Sequence, residues 1–249
     1  MRRVAITAAL LAVALIAPAP ASAAPSAARL VSCHSALDPD ERLAAFEGRM
    51  RAVRGASRLQ MRFTLQTRTK GRWRALPAAG FGRWLTSDFG VGRYVYTKRV
   101  VALLAPASYR TIVRFRWLRA DGRRVASDRS TSPACRQLDL RPDLVPLGIE
   151  ARPGADAAHA RYVVPVENRG RTAAGPFDVV VSVDDTTLTP AEAPELEAGE
   201  SALVEVEGPP CADGAVLTVD IDPMGAVDER AEGDNRLSVP CPGAPVTGS

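Results

Sequence analysis

The chain has 249 residues, 46% of them hydrophobic and 24% charged, with 30 Arg, two Lys, two His and a net charge of only +4. So few histidines, and no long apolar run after the first sixteen residues, argue against histidine-based catalysis, a zinc site and a membrane span. The small total hides a division: residues 24–140 carry 23 Lys plus Arg against 8 Asp plus Glu (+15), whereas residues 141–249 carry 7 against 20 (−13). A balance that uneven points to two separately built domains.

Residues 1–23 read as a secretory signal peptide. Arg2 and Arg3 supply the charged start, Val4–Ile16 is an apolar run too short to span a bilayer comfortably, and Ala21-Ser22-Ala23 is a small-x-small cleavage site. The mature chain is then expected to begin at Ala24. Leu30-Val31-Ser32-Cys33 has the letters of a lipobox, but Pro18, Pro20, Pro25 and Arg29 separate it from the apolar run, so lipidation of Cys33 is not expected.

The basic half, 24–140, reads as β. Leu59, Met61, Phe63 and Leu65 alternate with Gln60, Arg62, Thr64 and Gln66, the period of a half-buried strand. Upstream, Ala44, Phe46 and Met50 keep the same parity up to a turn at Arg54-Gly55. Leu43, Phe46, Met50 and Val53 also fit a helix there, but Gly48 would cost it up to about 1 kcal/mol, and a strand is the expectation. Tyr109, Thr111, Val113, Phe115 and Trp117 alternate with Arg110, Ile112, Arg114 and Arg116, and Asp121-Gly122 marks a hairpin into a last strand. Leu104-Ala-Pro106-Ala-Ser-Tyr109 followed by Thr111, Val113 and Phe115 resembles the start of strand F in fibronectin-type and immunoglobulin-type domains. The resemblance implies a tyrosine corner, with the Tyr109 hydroxyl bonded back to the main chain.

The acidic half, 141–243, offers strands at Tyr162–Glu167, Phe177–Val183, Ala202–Glu207 and Ala215–Ile221 between Gly, Pro, Asn and Asp clusters. Pro142-Asp-Leu144, Val166-Glu-Asn168-Arg-Gly170, Phe177-Asp-Val179, Leu196-Glu-Ala-Gly199 and Asp222-Pro-Met-Gly225 through Asp234-Asn235 occur in one order. In that order they resemble the bacterial cell-adhesion-related domain, CARDB. The resemblance implies an immunoglobulin-like module of secreted and surface proteins with no agreed catalytic residues. Residues 244–249 read as a flexible tail; Ala244–Gly248 lacks the leucine and following apolar tail of a wall-sorting motif.

Four cysteines in an exported chain imply disulfides in one of three pairings. Two fall in each half, which favours Cys33–Cys135 and Cys211–Cys241; no two stand at zinc-motif spacing. The acids Asp220, Asp222, Asp228, Glu229 and Asp234 could hold Ca²⁺, yet their spacing is not that of an EF-hand. A turn in which Asp and Asn bond the backbone, with Gly225 and Gly233 at positive φ, is the favoured reading, so no cofactor is expected.

Arg110, Arg114 and Arg116 share one strand face, and Arg58, Arg62 and Arg68 share another. Such stripes attract polyanions or an acidic partner domain. Trp73, Trp84, Tyr94 and Tyr96 would stack on sugars if exposed, but in a sandwich that needs a core their burial is the expectation. No nucleophile elbow, His-Glu-x-x-His, phosphate loop or dinucleotide fingerprint occurs, so no catalytic residues are assigned. The reading is an all-β exported protein of two tandem immunoglobulin-like β-sandwiches. Its expected role is non-catalytic binding of an envelope polyanion, glycan or protein, extracellular and associated with the cell surface, with nucleic acid not expected as a partner. Self-assembly of basic on acidic domains is the alternative, and a secreted hydrolase a third class.

Overall fold

Period-two alternation in the sequence becomes alternation of buried and exposed faces along the long strands. The computed structural model describes residues 25–241. The leader assigned to 1–23, the tail assigned to 244–249 and the sorting-like letters at 244–248 lie outside the described residues. Among the described residues there is no α-helix, only a 3₁₀ turn at Pro39–Glu41 between strands.

The first nine strands are β1 (Ser26–His34), β2 (Leu43–Arg51), β3 (Arg58–Arg68), β4 (Arg74–Ala75), β5 (Trp84–Thr86), β6 (Arg93–Val101), β7 (Ala107–Leu118), β8 (Arg124–Thr131) and β9 (Cys135–Gln137). They form a three-stranded sheet, β1-β2-β6, facing a six-stranded one in which β3 and β7 are central, β4 and β5 share an edge of β3, and β8 and β9 share an edge of β7. Leu59, Met61, Phe63 and Leu65 of β3, with Val113, Phe115 and Trp117 of β7, bury themselves against Ala44, Phe46 and Met50 of β2. Within 41–53, Leu43–Arg51 is therefore a strand and not a helix. Gly48 sits there for a packing reason: a Cβ would lie 2.8 Å from Phe63 Cζ and 3.0 Å from Met61 Sδ. The tyrosine corner is present, Tyr109 Oη donating to Leu104 O at 3.0 Å. Trp117 Nε1 donates to Arg51 O at 2.7 Å, tying the last core layer to the opposite sheet.

The remaining strands are β10 (Leu144–Pro146), β11 (Glu150–Pro153), β12 (Ala160–Asn168), β13 (Phe177–Val183), β14 (Thr186–Thr187), β15 (Ala191–Ala193), β16 (Ser201–Gly208), β17 (Val216–Ile221) and β18 (Arg236–Pro240). β12 carries β10 and β11 on one edge and β16 on the other; β13 and β17 lead a second sheet with β14, β15 and β18. Tyr162, Val164, Val166, Val179, Val181, Leu217 and Val219 fill the space between them. No strand of the first nine pairs with one of the last nine. The fold is all-β, two immunoglobulin-like sandwiches in tandem.

Each half carries one disulfide. Cys33–Cys135 spans 102 residues with Cα atoms 5.3 Å apart, and Cys211–Cys241 spans 30 residues with Cα atoms 6.2 Å apart. Cys33 therefore lies within β1 and is oxidised, in keeping with the exclusion of the lipobox.

Candidate functional site, an arginine face on the first sandwich

The outer face of the six-stranded sheet is built from the polar parity of β3, β7 and β8. Strand register places Arg62 opposite Arg114, and Arg114 opposite Arg129, in one row across three strands. Like charges directly opposite one another destabilise a sheet. No acid offsets them: among the described residues, none of the Lys or Arg before residue 140 forms an ion pair within 4.0 Å, and all eight ion pairs involve residues 139–236.

Aromatic rings, rather than carboxylates, hold Arg62 and four neighbours on this face, Arg58, Arg68, Arg110 and Arg116. Trp84 begins β5 directly opposite Arg62, and the Arg62 and Arg116 guanidiniums lie 5.0 and 3.9 Å from its ring centre. Trp73, in the loop before β4, meets Arg110 at 4.1 Å and Arg68 at 4.9 Å. Phe89 underlies Arg58 at 3.6 Å. A guanidinium over a ring gains roughly 0.5–1 kcal/mol at an exposed site and loses rotamer freedom. Arg110 is fixed further by donating from Nε to Gln66 Oε1 at 2.9 Å. Burial first, then the like charges of Arg68 and Arg129, pull its pKa below the ordinary guanidinium value.

Between the pinned arginines lies a shallow cup of about 370 Å³ lined by Arg62, Trp84, Arg114, Arg116, Arg124 and Arg129. Asp128 also borders it, but its carboxylate already accepts from Ser26 Oγ and from the Arg129 backbone N at 2.7 Å. Arg114, Arg124 and Arg129 are exposed, with no ring and no acid against them.

The expectation that the aromatics form core is corrected for all four, since Tyr96 is exposed and Tyr94, like the two tryptophans Trp73 and Trp84, is half-buried. Trp73 and Trp84 lie on the outer face, because their loop position and strand parity point them away from the second sheet. Tyr94 and Tyr96 stand on β6, in the other sheet, and do not join the arginines. The Tyr94 hydroxyl is half-buried and pushed up in pKa, by burial first and then by Tyr96 and Asp88. Tyr96 meets Lys98 at 5.1 Å and Phe63 at 6.4 Å. Of the arginines, Arg62, Arg110, Arg114 and Arg116 do share one face, joined by Arg58 and Arg68. Sequence reasoning missed Arg124, Arg129 and Phe89. The irregularity after Trp117, where Trp117 pairs Ala126 but Leu118 pairs Arg124, leaves Val125 as an extra residue, so the facing of β8 cannot be counted from its turn.

Four of the five acids named for calcium make local bonds or ion pairs. Asp222 accepts from the Ala226 and Val227 backbone N at 3.0 and 2.8 Å. Glu229, 1% exposed, accepts from Leu144 N and, at 2.7 Å, from Asn235 Nδ2; burial pushes its pKa up to about 7. Asp220 faces Arg236 at 3.6 Å, and Asp228 accepts from Arg141 at 2.8 Å. Asp234 is exposed at the turn before β18. Positive φ falls on Gly225 and on Asp222 itself, not on Gly233 as the sequence led one to expect.

Of these acids, Glu229 belongs to a buried polar cluster that includes Asn235, Asp143 and Asn168. Asn168, fully buried, accepts at Oδ1 from Asp143 N (3.2 Å) and Gly170 N (2.9 Å) and donates from Nδ2 to Thr172 O and Leu196 O (both 2.9 Å). Buried Asp143 pairs with Arg230. A Cβ on Gly170 would lie 2.3 Å from Pro142 Cα, which accounts for a glycine there. At the junction of the halves Arg141 grips both Asp139 oxygens at 3.0 Å, which keeps the Asp139 carboxyl more acidic than usual.

Residues 141–239 match the CARDB family. A domain spanning residues 272–376 of a Methanosarcina acetivorans protein, named as a candidate cell surface protein, aligns at 26% identity over 42% of this chain and 94% of its own, with a TM-score of 0.37. The CARDB domain of a Pyrococcus furiosus protein, solved with two metal ions, aligns at 21% identity over 42% of this chain and 90% of its own, with a TM-score of 0.35. A Porphyromonas gingivalis protein of unknown function aligns at 13% identity over 88% of this chain and 99% of its own, with a TM-score of 0.24. No curated protein matches the chain. The acidic half, built around the buried Asp143, Asn168 and Glu229, is thus the part of this chain that matches the CARDB family.

Proposed function

We propose that this is an exported, non-catalytic, envelope-associated binding protein whose basic sandwich engages a polyanion while the CARDB domain serves as spacer or docking surface. The observation that carries the reading is the arginine face: a dense set of charges on one sheet, several held by aromatic rings and none in an ion pair with an acid. A surface built only for solubility gains nothing from aligning arginines across strands, since the row costs stability. Two disulfides support an oxidising compartment, and no helix among the described residues is long and apolar enough to cross a membrane.

The non-catalytic part of the reading is supported by the histidines. His34 ends β1, and His159 meets only Asp156, at 2.6 Å on an open loop where both side chains are more than half exposed. The test is retention of the mature full chain on purified bacterial envelopes across a salt series. Retention at low salt and release as ionic strength rises is expected. Absence of retention at low salt, with salt-sensitive self-association in sedimentation, would replace this reading with basic-on-acidic assembly.

A further inference from the structure

We propose that the row Arg62, Arg114 and Arg129 is a seat for a phosphoryl group of a base-free phosphate polymer. This rests on the reading of the arginine face as anion-binding and names the anion.

Three strands each contribute one guanidinium to the row, with adjacent strands about 4.8 Å apart, so the row spans about 10 Å. Each guanidinium carries five N–H donors in a planar fork. A carboxylate is planar and offers two oxygens; one or two forks satisfy it. A phosphoryl group within a polymer also carries one charge, but its oxygens are set on a tetrahedral centre rather than in one plane, so it accepts from forks arriving from several directions. One end of the seat is organised before anything binds, because Trp84 holds Arg62 and, beside the row, Arg116, while Arg114 and Arg129 are exposed and free to close on the anion. Its bordering acid, Asp128, is engaged by Ser26 and by its neighbour's backbone N–H and does not fill the cup.

The polymer follows from the second cluster. Arg110, four residues before Arg114 on β7 and so about 13 Å away at strand rise, is gathered on Trp73 with Arg68 from the end of β3. Linked phosphates can bridge the two clusters. The absence of bases follows from the rings: proteins that grip single strands offer aromatic faces for stacking, and here Trp73, Trp84 and Phe89 are each engaged by at least one guanidinium.

The experiment titrates the mature full chain with inorganic polyphosphate, with polygalacturonate, and with an oligothymidylate of matched phosphate number. Arg114→Gln should weaken polyphosphate binding at least about tenfold and lower the salt slope by about one. Arg99→Gln, which removes the same charge from the other sheet, should change it less than about twofold. Equal losses in the two variants would overturn the seat, as would polygalacturonate or oligothymidylate binding as tightly as polyphosphate. Salt-sensitive envelope retention without polyphosphate binding removes the seat and leaves the proposed function standing; loss of both removes both. Envelopes stripped of phosphodiesters by cold hydrofluoric acid separate the sources. Lost retention assigns the seat to an envelope polymer, and retention unchanged with polyphosphate still bound assigns it to free polyphosphate.

Discussion

The two sandwiches handle charge in opposite ways. In the CARDB half the characteristic polar residues turn inward: Asp143, Asn168, Glu229 and Asn235 are buried and bonded, and Arg230 reaches in to pair with Asp143. Charge there fixes the fold. In the basic half the arginines turn outward, unpaired with acid and steadied by Trp73, Trp84 and Phe89. Charge there is held available at some cost in stability. The difference teaches that charged residues read identically along a sequence until their partners are known, because a buried charge must be satisfied and an exposed one need not be.

The largest effects that sharpen this contrast are covalent. Replacing Cys33 and Cys135 with Ser should cost the basic half about 4–5 kcal/mol, and replacing Cys211 and Cys241 the CARDB half about 3–4 kcal/mol, by urea unfolding. The order follows from the enclosed 102 against 30 residues. Next in size is Glu229. Its folded pKa of about 7 is raised above the ordinary 4.5, so the folded state binds the extra proton between those values. Its contribution to stability should therefore grow as pH falls from about 7.5 to 5, on the order of 2 kcal/mol, and shrink again as pH rises through 7. Glu229→Gln should flatten that dependence in the CARDB half alone; an unchanged profile would remove the buried carboxyl as its cause. Smaller again, Trp84→Ala should cost the basic half about 1–2 kcal/mol by releasing two guanidiniums, and the same variant should loosen envelope retention.

Much of the fold was legible. Period-two runs gave the faces of β3 and β7, the Leu104-to-Tyr109 run gave the tyrosine corner, and the placement of two cysteines in each half gave the pairing. The arginine stripes were legible too, because parity alone assigns a face. What was hidden depends on neighbours. Trp73 and Trp84 read as core because large rings need burial, and only the pairing of β5 with β3 shows guanidiniums supplying the cover. Arg129 was hidden by the bulge at Val125, and the strain at Asp222 by a side chain that satisfies its own turn.

The most direct test of the central claim is the urea unfolding free energy of Arg114→Gln against the parent chain. An arginine retained for an anion and flanked by Arg62 and Arg129 contributes repulsion to the free protein. Its removal should leave stability unchanged or raise it by up to about 0.5 kcal/mol. A loss of more than about 1 kcal/mol would contradict the account, since it would make Arg114 a structural member of the sheet rather than a charge kept in reserve for a ligand.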